Sequence, residues 1–197
     1  MTQEDLQLAI NEIAFKSDQS SFEKIYTCYY NRLFRLALSI VKSEEIAEEI
    51  YDDVMLIIWE KRQQLILINN LTVYLYVSVK NASLRHLSRD NKLSQVNIDE
   101  IDIEICDIAP TAQDQMISIE FLKEINMVIE KLSPQCKIVF KLVKEDGLKY
   151  REAAEILNIS VKNVEYHIGN ALKKIGQHLA HLKKPFIQEA FKSIISN

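Results

Sequence analysis

A chain of 197 residues holds one ordinary domain or two small ones, and its 48% apolar and 26% charged content describes a globular protein. Three Gly and three Pro are too few for an all-β protein with many tight turns, and no GxGxxG or GxxxxGK(S/T) string exists, so Gly-cradled phosphate sites are excluded. The net charge of −4 is uneven: residues 1–89 carry −2, residues 90–120 carry −7 and residues 121–197 carry +5.

The N-terminal stretch MTQEDLQLAINEIAF places acids where a secretory signal needs bases. No apolar run reaches the roughly 18 residues of a membrane span, so a cytoplasmic protein without membrane insertion is expected. Cys28, Cys106 and Cys136 are widely spaced and form no CxxC, which supports neither a zinc site nor a disulfide framework. No metal and no cofactor are expected.

The spacing from Ser21 to Val41 predicts a long helix with Phe22, Ile25, Tyr26, Tyr29, Leu33, Leu36, Ala37 and Ile40 inward, and Cys28 reads as plain packing on it. Ser43 followed by Glu44 and Glu45 predicts the next start, a cap followed by acids at the positive helix end. Ile46, Ile50, Val54, Ile57 and Ile58 form the predicted stripe of that helix, while Glu45, Glu48, Glu49, Asp52 and Asp53 crowd its other side. Like charges so close repel one another, so this side is either a solvated face or a docking face for a basic protein. A third helix is predicted over Leu71–Asp90, with Tyr74 and Tyr76 near its start, then Lys80, Asn81, Arg85, His86 and Arg89. Rings that stack on bases beside cations that track a backbone suit single-stranded nucleic acid, although tyrosine in a helix is more commonly half-buried core.

Residues 91–116 lack sustained helical periodicity, contain Pro110 and concentrate acids, and read as a flexible acidic linker. It separates a first lobe, residues 1–90, from a basic second lobe, residues 117–183, which is followed by a tail, residues 184–197. In the second lobe Ser133-Pro134 predicts a helix start with serine as the cap, Ile138, Val139, Leu142 and Val143 continue it, and Asp146-Gly147 ends it. A short helix follows from Tyr150 to Leu157 with Ala153, Ile156 and Leu157 inward. Asn158-Ile159-Ser160 is the turn, and Ser160 caps a long helix. Val164, Ile168, Ala171, Ile175, Leu179 and Leu182 make one apolar stripe along it, opposite Lys162, Asn163, Tyr166, Gly169, Asn170, Lys173 and Lys174. This is the helix-turn-helix pattern, in which the first turns of the last helix reach base edges and the lysines near its end meet phosphates. Gly169 costs about 1 kcal/mol relative to Ala at mid-helix, which argues for a close approach there. His167, His178 and His181 form no metal-binding pair with a carboxylate.

The string GLKYREAAEILNISVKNVEYHIGNALKKI resembles the fourth conserved region of sigma-70-family factors: Tyr150, Glu152, Ala154, Leu157, Ser160, Val164, Ala171 and Ile175 fall in register, with Asn163 in place of the usual Thr and Ala153 in place of Ile. LuxR-type regulators share much of this half. The strings FEKIYTCYY, AEEIYDDVMLIIW and YLYVSVKNASLRHLSR resemble the second conserved region of the extracytoplasmic-function branch of that family, with Phe22, Tyr26, Ala47, Glu48, Ile50, Asp53, Val54, Trp59, Tyr74, Leu75 and Asn81 matching. The two regions come in the family's order. Asp52 stands for the usual Gln, Leu84 for a common acid, and bases after Asn81 are sparser than the family norm.

The resemblance implies an all-α fold of two small helical domains, a region 2 bundle and a region 4 helix-turn-helix, joined by the acidic linker. It implies a non-enzymatic factor that binds core RNA polymerase, directs it to promoters and helps melt the start site. Glu48, Glu49, Asp52 and Asp53 would dock on the polymerase. Tyr74, Tyr76, Lys80 and Asn81, with the 62–71 loop, would serve the minus-10 element, and Arg85 and Arg89 its phosphates. Ser160, Lys162, Asn163, Tyr166, His167 and Asn170 would serve the minus-35 element, with Lys173 and Lys174 on phosphates. Core polymerase, promoter DNA and an anti-sigma factor are the implied partners, and the linker could occupy a basic channel of the polymerase. The alternative, a stand-alone helix-turn-helix regulator, would bind its own duplex site, usually palindromic, without polymerase.

Overall fold

The computed structural model describes residues 1–90 and 119–181, and the side chains of residues 1–89 and 124–181. The acidic linker, the tail, Cys106 and Leu182 lie outside the described residues. The chain divides into two units, Met1–Asn97 and Ile98–Asn197. Every element among the described residues is helical.

The first unit contains α1 (Gln3–Lys16), α2 (Gln19–Val41), α3 (Glu44–Glu60), a 3-10 turn (Arg62–Leu67) and α4 (Leu71–Asp90). The sequence reading assigned no helix before Ser21, yet α1 starts with a complete capping box: Thr2 Oγ1 accepts from the Asp5 N–H and an Asp5 carboxylate oxygen accepts from the Thr2 N–H. Ile10, Ile13 and Ala14 bury its inner side. Ser17 ends α1 in the left-handed region, φ 53°, and Asp18 starts α2 at once, its carboxylate accepting from the Ser21 N–H at 2.7 Å. Hydrogen bonding to Ser21, side chain first and backbone second, holds the Asp18 carboxyl below its ordinary range, as Thr2 does for Asp5.

Helix α2 is the axis of the unit and packs against α1, α3 and α4. Ile25, Tyr29, Leu33, Leu36, Ala37 and Ile40 are buried as the spacing predicts, while Phe22 and Tyr26 are half-buried. Cys28 is exposed, so the packing expected of it is corrected. It lines an open pocket with Lys24 and Thr27 of α2 and Leu8 and Glu12 of α1. On α3 the buried side is Ala47, Ile50, Tyr51, Val54, Met55 and Ile58. Ile57, placed in the stripe by spacing, is 42% exposed, because burial of Tyr51 and Met55 turns the helix away from it. Tyr51 can be fully buried because its hydroxyl donates to the Tyr26 carbonyl on α2 at 2.6 Å.

The second unit contains α5 (Ile119–Ile129), α6 (Pro134–Phe140), a single π-helical turn (Lys141–Glu145), α7 (Tyr150–Leu157) and α8 (Val161–His181). Val164, Ile168, Ala171, Ile175 and Leu179 of α8 are all buried. The last three meet Ile125, Val128 and Ile129 of α5, Leu132, and Cys136 and Phe140 of α6 in one core. Pro134 occupies the first turn of α6, but the Ser133 side chain makes no capping bond, a correction to its expected role. Gly147 at φ 72° reverses the chain before α7, which the left-handed region permits at low cost.

Two lysines of this unit were not foreseen as core. Lys137 is buried and its ammonium meets Glu130 at 2.8 Å. Lys141, 2% exposed, reaches the half-buried Glu145 at 3.4 Å and the buried Asp146 at 3.6 Å. This cluster closes the π-helical turn that sends the chain toward α7. Removing one partner of a buried ion pair leaves an uncompensated charge. Lys141→Met is therefore expected to destabilise the second unit by about 3–5 kcal/mol. Urea unfolding followed by far-ultraviolet circular dichroism will show the loss. Trp59, the chain's one tryptophan and a residue of the first unit, will keep its fluorescence transition where it was.

Candidate functional site

Three exposed surfaces carry the residues singled out from the sequence. The first lies on α3. Ser43 caps the helix, its oxygen 3.4 Å from the Ile46 N–H, and Glu44 and Glu45 sit at its positive end. Glu48, Glu49, Asp52 and Asp53 are all exposed and share one side. Two are oriented from α2: the Tyr26 hydroxyl donates to Asp52 at 2.7 Å and the Tyr30 hydroxyl to Glu48 at 3.4 Å. Burial, and then the bond to Asp52, push the Tyr26 phenol up to about 12, so it stays a donor throughout the physiological range.

Sequence reasoning missed what borders these acids. An open groove of about 600 Å³ runs between α2 and α3, lined by Phe22, Tyr26, Asp52, Asp53, Leu56 and Trp59. The Phe22 and Trp59 rings meet at 5.0 Å, Tyr26 and Tyr51 at 5.0 Å, and Tyr30 stacks on Phe34 at 5.6 Å. The i, i+4 spacing of Phe22, Tyr26, Tyr30 and Phe34 was a usable signal, but the sequence reading placed Phe22 and Tyr26 in the core and left Tyr30 and Phe34 unused. An aromatic floor with a carboxylate rim suits a partner surface that is apolar and cationic at once.

The second surface is α4. Asn70 Oδ1 accepts from the Val73 N–H at 3.1 Å and caps it, and Thr72 pairs its hydroxyl with Tyr29 of α2 at 2.6 Å. Tyr74 is 38% exposed, and Asn81, Arg85 and Arg89 are exposed; Tyr74, Asn81 and Arg85 recur at seven and four residues and so share a face. Lys80 is half-buried, and burial pulls its ammonium below the ordinary lysine range. Tyr76 is 0% exposed. Two residues beyond Tyr74 it points to the opposite side of the helix, into the core, so its expected role in contacting nucleic acid is corrected to packing.

The third surface is the α7–α8 pair. Asn158 closes α7 in the left-handed region at φ 56°, and the Ser160 hydroxyl accepts from the Asn163 N–H at 3.2 Å to start α8. Lys162, Asn163, Tyr166, Lys173 and Lys174 are exposed, and Ser160 with them; His167 and Asn170 are half-buried. Tyr166 is 65% exposed, its ring edge-on to His167 at 5.5 Å. The Cys136 thiol donates to the His167 carbonyl at 3.1 Å and ties α8 to α6, and burial pushes that thiol up. A Cβ at Gly169 would meet nothing within 4 Å. The close neighbour expected there is not supplied by this unit. Gly169 instead opens the same exposed stripe as Lys162, Tyr166 and Lys173.

Among the described residues no three His, Cys, Asp or Glu side chains converge to hold a metal, and no helix is long and apolar enough to cross a membrane. The arrangement offers an acidic aromatic groove and two cationic, amide-bearing helix faces.

The two tyrosines of α4 separate by experiment. Tyr76→Ala is expected to cost about 3–5 kcal/mol in urea unfolding followed by Trp59 fluorescence, as a large buried ring should. Tyr74→Ala should stay within about 1 kcal/mol.

The geometry has counterparts among known proteins. The sigma-70 region 2 family matches residues 25–93, and the sigma-70 region 4 family matches residues 122–175. The fold is shared with solved structures. CnrH, solved in complex with the cytosolic domain of CnrY, is 20% identical with a TM-score of 0.57, over 91% of this chain and 99% of that one. The sigma factor RpoE, solved with the anti-sigma factor NepR from Bartonella quintana, is 22% identical with a TM-score of 0.54, over 81% of this chain and 96% of that one. No curated protein matches in sequence at a significant level. With region 2 and region 4 present in order across most of its length, the chain belongs to the sigma-70 family, in its extracytoplasmic-function form.

Proposed function

We propose that the chain is the promoter-specificity subunit of RNA polymerase, reading the minus-10 element with its first unit and the minus-35 element with its second. The observation that carries this is the presence of both sigma-70 regions, in order, in one chain. The family consists of non-enzymatic transcription factors, and the chain's work is accordingly binding and melting rather than covalent chemistry.

In this reading Glu48, Glu49, Asp52 and Asp53 meet basic residues of the core enzyme while the Phe22–Trp59 groove takes its apolar side chains. Rim charges of this kind govern encounter rate and register more than raw affinity. Unpaired minus-10 bases stack on Tyr74 and bond to Asn81, with Arg85 and Arg89 on the strand's phosphates. Helix α8 enters the minus-35 major groove. Lys162, Asn163 and Tyr166 then lie toward base edges, with Lys173 and Lys174 on phosphates. The relatives solved with protein partners support an anti-sigma partner for this chain as well. A cytoplasmic site of action follows from that work.

The test mixes the purified chain with core RNA polymerase from its host. Co-elution with promoter-dependent transcripts from defined start sites is expected. Asp52→Lys with Asp53→Lys should weaken the complex by about tenfold or more and leave urea stability nearly unchanged. No complex, together with tight binding of a palindromic duplex by the chain alone, would establish the stand-alone regulator instead.

Gly169→Ala gives a second check, because its two effects run in opposite directions. Helix propensity should raise the stability of the second unit by about 1 kcal/mol. If duplex DNA approaches the open side of α8, the same methyl should weaken transcription from promoters that depend on the minus-35 element. Equal gains in both would mean that nothing approaches α8 there.

A further inference from the structure

Arg62 joins three elements of the first unit. Its Nε donates to the Ser17 hydroxyl at 2.8 Å, and its Nη1 donates to the Trp59 carbonyl at 3.0 Å. Its guanidinium carbon lies 5.0 Å from the centre of the Trp59 ring. Ser17 is the left-handed end of α1, Trp59 is in the last turn of α3, and Arg62 opens the 3-10 turn. The segment that follows is held at two more points: Leu65 is buried in the core, and Asn70 caps α4. Between those anchors Ile66 and Leu67 are exposed, Leu67 by 77%, beside Gln63, Gln64 and Asn69. Two exposed apolar residues at the tip of a segment pinned at three points describe a presented surface rather than a slack connection. The segment runs directly into the α4 face that carries Tyr74 and Asn81.

We infer that Arg62 is a positioning residue: by clasping Ser17 and Trp59 it sets the orientation of the 62–70 segment against α4, and thereby the selectivity for an unpaired base held between them. This rests on the minus-10 reading proposed above. Two donors aimed in different directions and a face laid on an aromatic ring fix a side chain in every rotation, which a lysine at the same place cannot do. Helix α1 then has a function in the site without touching nucleic acid. It supplies the hydroxyl that holds the clasp shut. Misplacement of a positioning element by about 1 Å can cost up to a hundredfold in a selective step.

The experiment uses the full chain bound to core RNA polymerase. The parent complex selects its preferred minus-10 strand from a randomised single-stranded overhang on a short duplex. Affinities for that strand and for each single-base replacement are then compared in Arg62→Ala, Arg62→Lys and Ser17→Ala. The ratio of preferred to replaced base should fall by about tenfold in Arg62→Ala. It should recover only partly in Arg62→Lys and fall to a smaller extent in Ser17→Ala. Adding Ser17→Ala to Arg62→Ala should lower the ratio no further. In Ser17→Ala, which leaves Arg62 on Trp59, core polymerase affinity and the salt dependence of binding should match the parent, which general damage to the fold would not allow. A selective parent whose ratios are unchanged in both Arg62→Ala and Ser17→Ala would overturn the inference and leave the minus-10 reading standing. A parent that selects no strand would overturn both. Should Arg62→Ala fail to fold, Ser17→Ala, which removes one exposed hydroxyl, decides alone.

Discussion

The hydroxyl of Tyr51, donated to the Tyr26 carbonyl, is the contact on which the first unit turns. It lets a large aromatic from α3 be buried fully against α2 with its polar atom satisfied. Burial pushes the Tyr51 phenol above its ordinary range, so it remains the donor. With Tyr51 inward, the remaining rotation of α3 is fixed. Ile57 and Leu56 turn outward, and Asp52 comes within reach of the Tyr26 hydroxyl. The acidic face and its aromatic groove are thus one consequence of a single buried ring.

The second unit answers the same problem with charge. Its helices are short, apart from α8, and a small core leaves few ways to specify one geometry. Lys137 and Lys141 each lie inside the fold with carboxylate partners. Buried ion pairs of this kind add little net stability over apolar replacements, but they admit few alternative arrangements. In this unit the Lys141 cluster fixes the turn ahead of α7, and so the angle at which α7 and α8 present Lys162, Asn163 and Tyr166. The sigma-70 assignment gives that angle its importance, since a recognition helix has to meet a groove of fixed width.

Much of this was legible in the sequence. The all-helical class, the α8 stripe, the turn at Asn158–Ser160 and the exposed acids of α3 all follow from spacing and caps. The failures share a cause. Periodicity reports that a helix has a buried side but not how tertiary contact rotates it, so Ile57 was placed inside and Tyr76 outside. Tyrosine is ambiguous by chemistry, and whether its hydroxyl finds a partner on another helix is invisible in one segment. Lysine reads as surface, and only Glu145 and Asp146 arriving from the next turn make burial of Lys141 tolerable. Helix α1 was different. Its signals, Thr2 with Asp5 and the Leu6, Ile10, Ile13 and Ala14 spacing, were present, but that stretch was weighed only as a possible targeting segment. The capping value of Ser133 failed because serine at a helix start need not turn its oxygen toward the helix.

The ends of the helices carry a last consequence. Ser17, Lys42 and Asn158 all close their helices in the left-handed region, where only Gly147 among the described residues has a glycine. A residue with a Cβ is disfavoured there by about 1 kcal/mol or more, asparagine least. Ser17 and Lys42 therefore hold strain at the joints on either side of α2. Warming should loosen the first unit at its corners before its interior. Adaptation to a hotter habitat would have one route at the backbone: glycine at position 42 would relieve the left-handed strain there. Position 17 is not open to the same change, because its hydroxyl is already committed to Arg62.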